Sequence, residues 1–170
     1  MLKHIVFTFI GEDKPGLVKR LADVISSHGG NWLESNMSQL AGKFTGIVLI
    51  AVDDSETDNL CQALQGLKAE GLTIVTEHTN SDKHTSLMEI ELNIIGPDRP
   101  GIVKSVSQAL EKNNINVKQM ESRITSAAMS GDPMFEADVV VQVADQVDID
   151  ALVVDINEIS LALGIDINLA

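Results

Sequence analysis

The chain has one cysteine, Cys61, among 170 residues, along with a single tryptophan, no tyrosine and four prolines. One cysteine excludes an intramolecular disulfide framework and fits a reducing cytoplasm. Aromatics make up only 3% against 44% hydrophobic residues overall, so any core must be built from aliphatic side chains. Basic residues are also scarce, 12 Lys and Arg against 25 Asp and Glu, for a formal net charge of −13. That balance argues against direct binding of nucleic acid, which needs a basic surface to neutralise phosphates. No apolar run approaches the ~20 residues of a membrane span. The opening "MLKHIVFTFIGEDK" is too short in its apolar stretch for a signal peptide. A soluble cytoplasmic protein without membrane contact is expected.

What the chain does contain is a repetition. "IGEDKPGLVK" begins at Ile10 and "IGPDRPGIVK" at Ile95, an offset of 85. The same offset aligns Asp13 with Asp98, Pro15 with Pro100, Gly16 with Gly101, Lys19 with Lys104 and Asn31 with Asn116. Upstream, Ile5, Phe7 and Phe9 lie opposite Ile90, Leu92 and Ile94, each set alternating with other residues as in a half-buried strand. After each proline-glycine the period becomes helical, through Leu17, Leu21, Val24 and Ile25, and through Ile102, Val106 and Leu110. "SHGGN" and "KNNIN" end those helices. Paired strand runs follow at 32–40 and 44–52, and at 117–125 and 134–143, the second hairpin being six residues longer. Second helices are expected at 57–70 and 148–163, and last strands begin after Gly71 and Gly164.

Each half therefore reads strand–helix–strand–strand–helix–strand, the ferredoxin-like order of an α+β fold. Two domains of one fold are expected, residues 1–80 and 85–170, joined through the polar stretch "HTNSDKHT". Open sheets leave unpaired outer strands. Edge-to-edge pairing of the two sheets is the expected way to cover them, and edges left over favour a homodimer.

The turn between first strand and first helix admits two readings. A helix start offers free N–H groups and the positive end of its dipole, a natural seat for a small carboxylate, with Lys14 or Arg99 adding charge. A glycine in the second helical position is costly and makes sense if a ligand or another backbone approaches closely. Alternatively, Asp13 and Asp98 cap the helices and the glycines only let the turns pack. The spacing is not that of a phosphate-binding P-loop.

The motif "GxDxPGxVK" in both copies, on a strand-to-helix turn of such a unit with an Asn opening the next strand, resembles the ACT domain. The resemblance covers nearly the whole chain. It implies amino-acid binding at the interface between two units, by the turn of one and the second strand of its neighbour. The corresponding positions are Asp13, Pro15, Gly16, Leu17 and Asn31, with Asp98, Pro100, Gly101, Ile102 and Asn116. It further implies a non-enzymatic transcriptional regulator that senses a small amino acid, glycine or serine being candidates, and acts through a partner transcription factor. No cofactor is expected. The alternative is a protein-interaction module without a small-molecule ligand. Glu12 becomes Pro97 and the second hairpin is longer, so the two sites need not be equivalent.

Other constellations are weaker. His4, His28, His78 and His84 are scattered and, with one cysteine, give no metal-ligand spacing. Cys61 reads as a structural thiol with no nearby histidine to activate it. "DDSETD" and "DQVDIDA" read as helix-start acids rather than calcium ligands. "GKFTGIVL" has one aromatic in an acidic chain, which speaks against RNA recognition. The stretch 126–134 is open between a partner-binding or lid element and a tolerated insertion.

Overall fold

The alternation of Ile5, Phe7 and Phe9 turns one face of strand β1 (Leu2–Glu12) wholly away from water. Its register sets the rest of the first unit. In this computed structural model, which describes residues 1–80 and 87–170, β1 pairs antiparallel with β3 (Lys43–Asp53) and with β4 (Thr73–Thr79). Strand β2 (Asn31–Leu40) pairs with the outer side of β3, giving the order β2-β3-β1-β4. Helices α1 (Leu17–Ser27) and α2 (Thr57–Gly66) supply Leu21, Ile25, Leu60 and Leu64 to one core with Phe7, Phe9, Val48 and Ile50. The near absence of aromatics is met by four phenylalanines, of which Phe7, Phe9 and Phe44 stack in tilted pairs.

The second unit repeats the plan. Strand β5 (Met88–Pro97) lies between β7 (Pro133–Val143) and β8 (Asp166–Leu169), and β6 (Asn116–Ser126) is the outer strand beside β7. Helices α3 (Ile102–Lys112) and α4 (Ile149–Leu163) pack Val106, Leu110, Leu152 and Ile156 against Leu92, Ile94, Val139 and Val141. Backbone hydrogen bonds thus join the strands into two sheets of four, in units Met1–His84 and Thr85–Ala170. Among the described residues no helix is long and apolar enough to cross a membrane.

Local chemistry explains the element ends. Ala41 and Gly42 both have positive φ, the two-residue primed turn that suits the twist of a hairpin. The longer second hairpin is closed over residues 127–132 by Ala127 N–H to Asp132 O and Gly131 N–H to Ala127 O. A bulge between Trp32 and Glu34 recurs between Val117 and Gln119, at the positions that the offset makes equivalent. Asp53 and Asp148 cap the turns that follow them, accepting from Ser55 N–H and from Asp150 and Ala151 N–H. The capping reading of both acidic stretches therefore holds.

Two elements differ from expectation. The helix expected over 57–70 ends at Gly66, and Leu67–Glu70 continues as a 3-10 turn that stops at left-handed Gly71. The stretch read as linker begins inside β4, whose ladder with β1 takes in His78 and Thr79. His84 lies outside the described residues. Cys61 is half-buried and packs against the first core, consistent with a structural thiol.

Candidate functional site

The "GxDxPG" turns superpose chemically, glycine by glycine, and each glycine has its own reason. A Cβ on Gly11 would stand 2.8 Å from Leu72 Cδ2 and 3.0 Å from Gly71 O, and one on Gly96 would meet Ile165 Cα at 2.8 Å. The first glycine thus lets the end of the central strand lie against the chain that leaves the second helix. The second glycine answers to backbone conformation, with φ of 91° at Gly16 and 93° at Gly101. Both stand before the helix as its N-cap, not at the second helical position that the sequence reading assigned. A Cβ at either would meet nothing within 4 Å, so the left-handed φ and not a close neighbour requires glycine there.

The capping role considered for Asp13 and Asp98 is not realised, since neither helix start receives a side-chain cap. Their backbones act instead: Asp13 N–H donates to Gly42 O at 2.9 Å, and Asp98 N–H to Pro133 O at 3.0 Å. Each turn is thereby tied to its own hairpin. The first intrahelical bonds run from Arg20 N–H to Gly16 O and from Ser105 N–H to Gly101 O. The N–H groups ahead of them point out of the helix start with no side chain of the unit capping them.

Asp13, Pro15, Gly16, Asp98, Pro100 and Gly101 are exposed, whereas Leu17 and Ile102 point into the cores. The last two can offer a ligand their backbone only. Pro15, Gly16 and Leu17 line a cavity of about 170 Å³ with Lys14, Arg20, Glu70 and Leu72. Arg20 Nε and Nη2 donate to Glu70 Oε2 and Oε1 at 2.8 and 2.7 Å. That hydrogen bond chiefly holds the Glu70 carboxyl below its ordinary value, with Lys14 adding to the effect, and it raises Arg20. Lys14 makes no ion pair among the described residues.

Arg20 and Glu70 were not found from the sequence. Arg20 stands four residues past Gly16 on the helix, a spacing that could have drawn attention to it. Glu70 comes from the far end of the unit and left no signal. In the second unit the equivalent positions hold Ser105 and Leu163, so the ion pair exists in one copy alone.

Asn31 and Asn116 do not join the turns of their own units. Asn31 pairs with Ala51 and thus shares a row with His4, whereas the turn follows Glu12 at the other end of β1. Eight residues of strand, about 27 Å, separate them. Asn116 lines a different cavity, of about 400 Å³, with Ser107, Leu110, Glu111 and Asn114. A site using both the turn and the asparagine needs two units. Among the described residues no group of three His, Cys, Asp or Glu side chains is placed to hold a metal ion.

Comparison with known proteins adds a family to this geometry. A UPF0237 protein of Methanococcus maripaludis is 29% identical over 86 residues, 49% of this chain and 96% of the relative. The glycine cleavage system transcriptional repressor of Escherichia coli is 21% identical over 126 residues, 73% of this chain and 66% of that protein. A crystal structure of a protein from Galdieria sulphuraria superposes with a TM-score of 0.88 at 25% identity, covering 99% of this chain and 98% of the other. A second, of a protein provisionally assigned as a glycine cleavage system transcriptional repressor, gives 0.75 at 19% identity over 100% and 97%. At that identity it speaks for the fold. Residues 3–77 and residues 90–159 each match a family described as the ACT domain. With both units accounted for in this way, the chain belongs to the ACT-domain family as a tandem of two copies.

Proposed function

We propose that this tandem ACT-domain chain is a non-enzymatic regulator that senses a small amino acid, with glycine and serine the first candidates, and passes its state to a partner transcription factor. One observation carries the reading most: both units present a helix start without a side-chain cap, on identical left-handed glycines, beside a basic residue, Lys14 or Arg99. A carboxylate suits such a place, because the N–H groups and the helix dipole favour negative charge there. The separation of Asn31 from its own turn supports a seat shared between units or copies, and edge-strand pairing is the means we propose for assembling it. The similarity to the Escherichia coli glycine cleavage repressor supports transcription as the output. A net charge of −13 favours action through a protein rather than on DNA.

For a signal to pass, the amino acid must bind one arrangement of the assembly better than another, and the partner must tell the two apart. Calorimetric titration with glycine, serine and other small amino acids is the direct test. Absence of heat and of any thermal shift with all of them would remove the sensing reading.

A second reading has its own footing. Gly11, Gly16, Gly96 and Gly101 are each explained by packing or backbone conformation without a ligand. On that reading the chain is an interaction module and its turns are structural. Lys14→Ala with Arg99→Ala separates the two, because it removes the charges beside the seats and keeps the glycines. A sensor then loses its amino-acid response, whereas a plain docking module keeps its partner binding unchanged in the presence or absence of glycine.

A further inference from the structure

The sheet faces turned away from the helices differ between the two units, although the units share one fold. In the first unit Thr8 stands between Ile47 and Val75, and Val6 beside Leu49. Ile10, Ile47 and Val75 are 48%, 50% and 56% exposed, and a groove of about 250 Å³ runs over Val6, Ile47 and Leu49. In the second unit the equivalent row is Asn93 between Asp138 and Asn168. Glu91 replaces Val6, and Glu136 and Gln142 replace Thr45 and Ala51. Those polar side chains bond with one another, Asn93 to Asp138 at 2.6 Å and Arg123 to Glu136 at 2.8 Å. The fold itself therefore tolerates a wet face here. The centre of the face is apolar in copy one where copy two has charge.

We infer that the outer sheet face of the first unit is a dimer interface, and that its occupant is the same face of a second copy of this chain. Size is the first argument. Four strands ~4.8 Å apart and about ten residues long at ~3.4 Å per residue give a face of roughly 600 Å² per copy, hence about 1,200 Å² for the pair. That reaches the lower end of stable interfaces, about 1,200–2,000 Å².

Charge is the second argument. Two chains of net charge −13 repel, so self-association needs a face whose centre carries no charge. This one qualifies: Glu34 and Glu77 lie on the outer strands β2 and β4, in the row of Val6, and Glu12, beside Lys43, and Asp53, beside Leu2, lie in the end rows. A two-fold axis lying across the strands at the row of Thr8 sets the row of Val6 over the row of Ile10. Glu34 then meets neutral Ser38, and Glu77 meets neutral Thr73, with no like charges opposed. Equal right-handed twist lets two such sheets stack in the aligned manner of a β-sandwich. An unrelated partner would have to supply a matching flat apolar face, whereas a second copy supplies it by symmetry.

The test exchanges residues between the copies. Ile47→Asp with Val75→Asn imports the side chains that the second unit already carries at these places, so the fold has a precedent for them. Sedimentation of the whole chain from 1 to about 100 μM is the readout, with circular dichroism as a check on folding. A dimer mass for the wild type and a monomer for the folded double variant, with dimer affinity weakened at least ~100-fold, is the expected result. A wild type that stays monomeric throughout overturns the inference, as does a folded variant that still dimerises. Should the double variant unfold, Thr8→Cys in a Cys61→Ala background decides instead. Cross-linking by a short bismaleimide, which spans the ~10 Å between stacked sheets, to far more covalent dimer than a surface-cysteine control elsewhere on the chain supports the interface, and no excess over that control overturns it. Because no amino acid is needed, failure of sensing and failure of this interface remain separate results.

Discussion

Arg20 grips both carboxylate oxygens of Glu70 across the wall of the cavity that Pro15 and Gly16 open. Of the two positive charges that line this cavity, Lys14 and Arg20, one is therefore already answered from within the chain. Glu70→Gln removes the competitor and leaves the guanidinium free. Binding of serine or glycine at the first unit should then tighten several-fold in calorimetric titration, with little change in folding, because both groups are substantially exposed. Unchanged or weakened affinity would place the ligand carboxylate somewhere other than this cavity.

The two glycines of each motif should fail in different ways. Gly96→Ala drives a Cβ against the Ile165 backbone and should cost about 1–3 kcal/mol in urea denaturation. Gly11→Ala should cost less where the Leu72 side chain can shift. Gly16→Ala and Gly101→Ala meet open space and should lose about 1–2 kcal/mol through the left-handed backbone alone. Asn, which tolerates that conformation better, should recover part of the loss at Gly16 and none at Gly96.

Asp148 accepts from Asp150 and Ala151 N–H at the start of α4. Asp148→Ala should lower the stability of the second unit by about 1 kcal/mol, and Asp148→Ser should restore most of it. Thermal unfolding of the three proteins checks this. An equal loss in the Ser variant would mean that the charge, not the cap, matters.

Acid should weaken the second unit through Asp155, whose carboxyl is lowered chiefly by the hydrogen bond from Lys112, with Asn113 adding to it. A carboxyl lowered in the folded state contributes stability that is complete above its unfolded value, near pH 4, and disappears as pH falls through the lowered one. Asp155→Asn should accordingly flatten the loss of stability below about pH 4, followed by denaturant midpoint against pH. A slope identical to wild type would show that the pair contributes nothing measurable.

The order of strands and helices was legible because both periodicities were written twice, and the chemistry of "GxDxPG" marked the same turn in each copy. The end of α2 at Gly66 was not, because Leu67 continues the apolar spacing of a helix while the backbone tightens to reach Gly71. The roles of the glycines were partly misread. Sequence marks that glycine is needed, but not whether a φ, a neighbouring backbone or a ligand needs it.

The chain's pattern of residues settled the duplicated fold, the acidic surface and the location of the turns, since these follow from periodicity, charge and backbone chemistry over short spans. Folding in three dimensions settled the rest. It brought Glu70 to Arg20 across fifty residues, sent Asn31 to the far end of the sheet from its own turn, and exposed a sheet face with an uncharged, apolar centre in the first copy. Such relationships depend on which strands lie side by side and in what register, and register is fixed by the packing of the whole core.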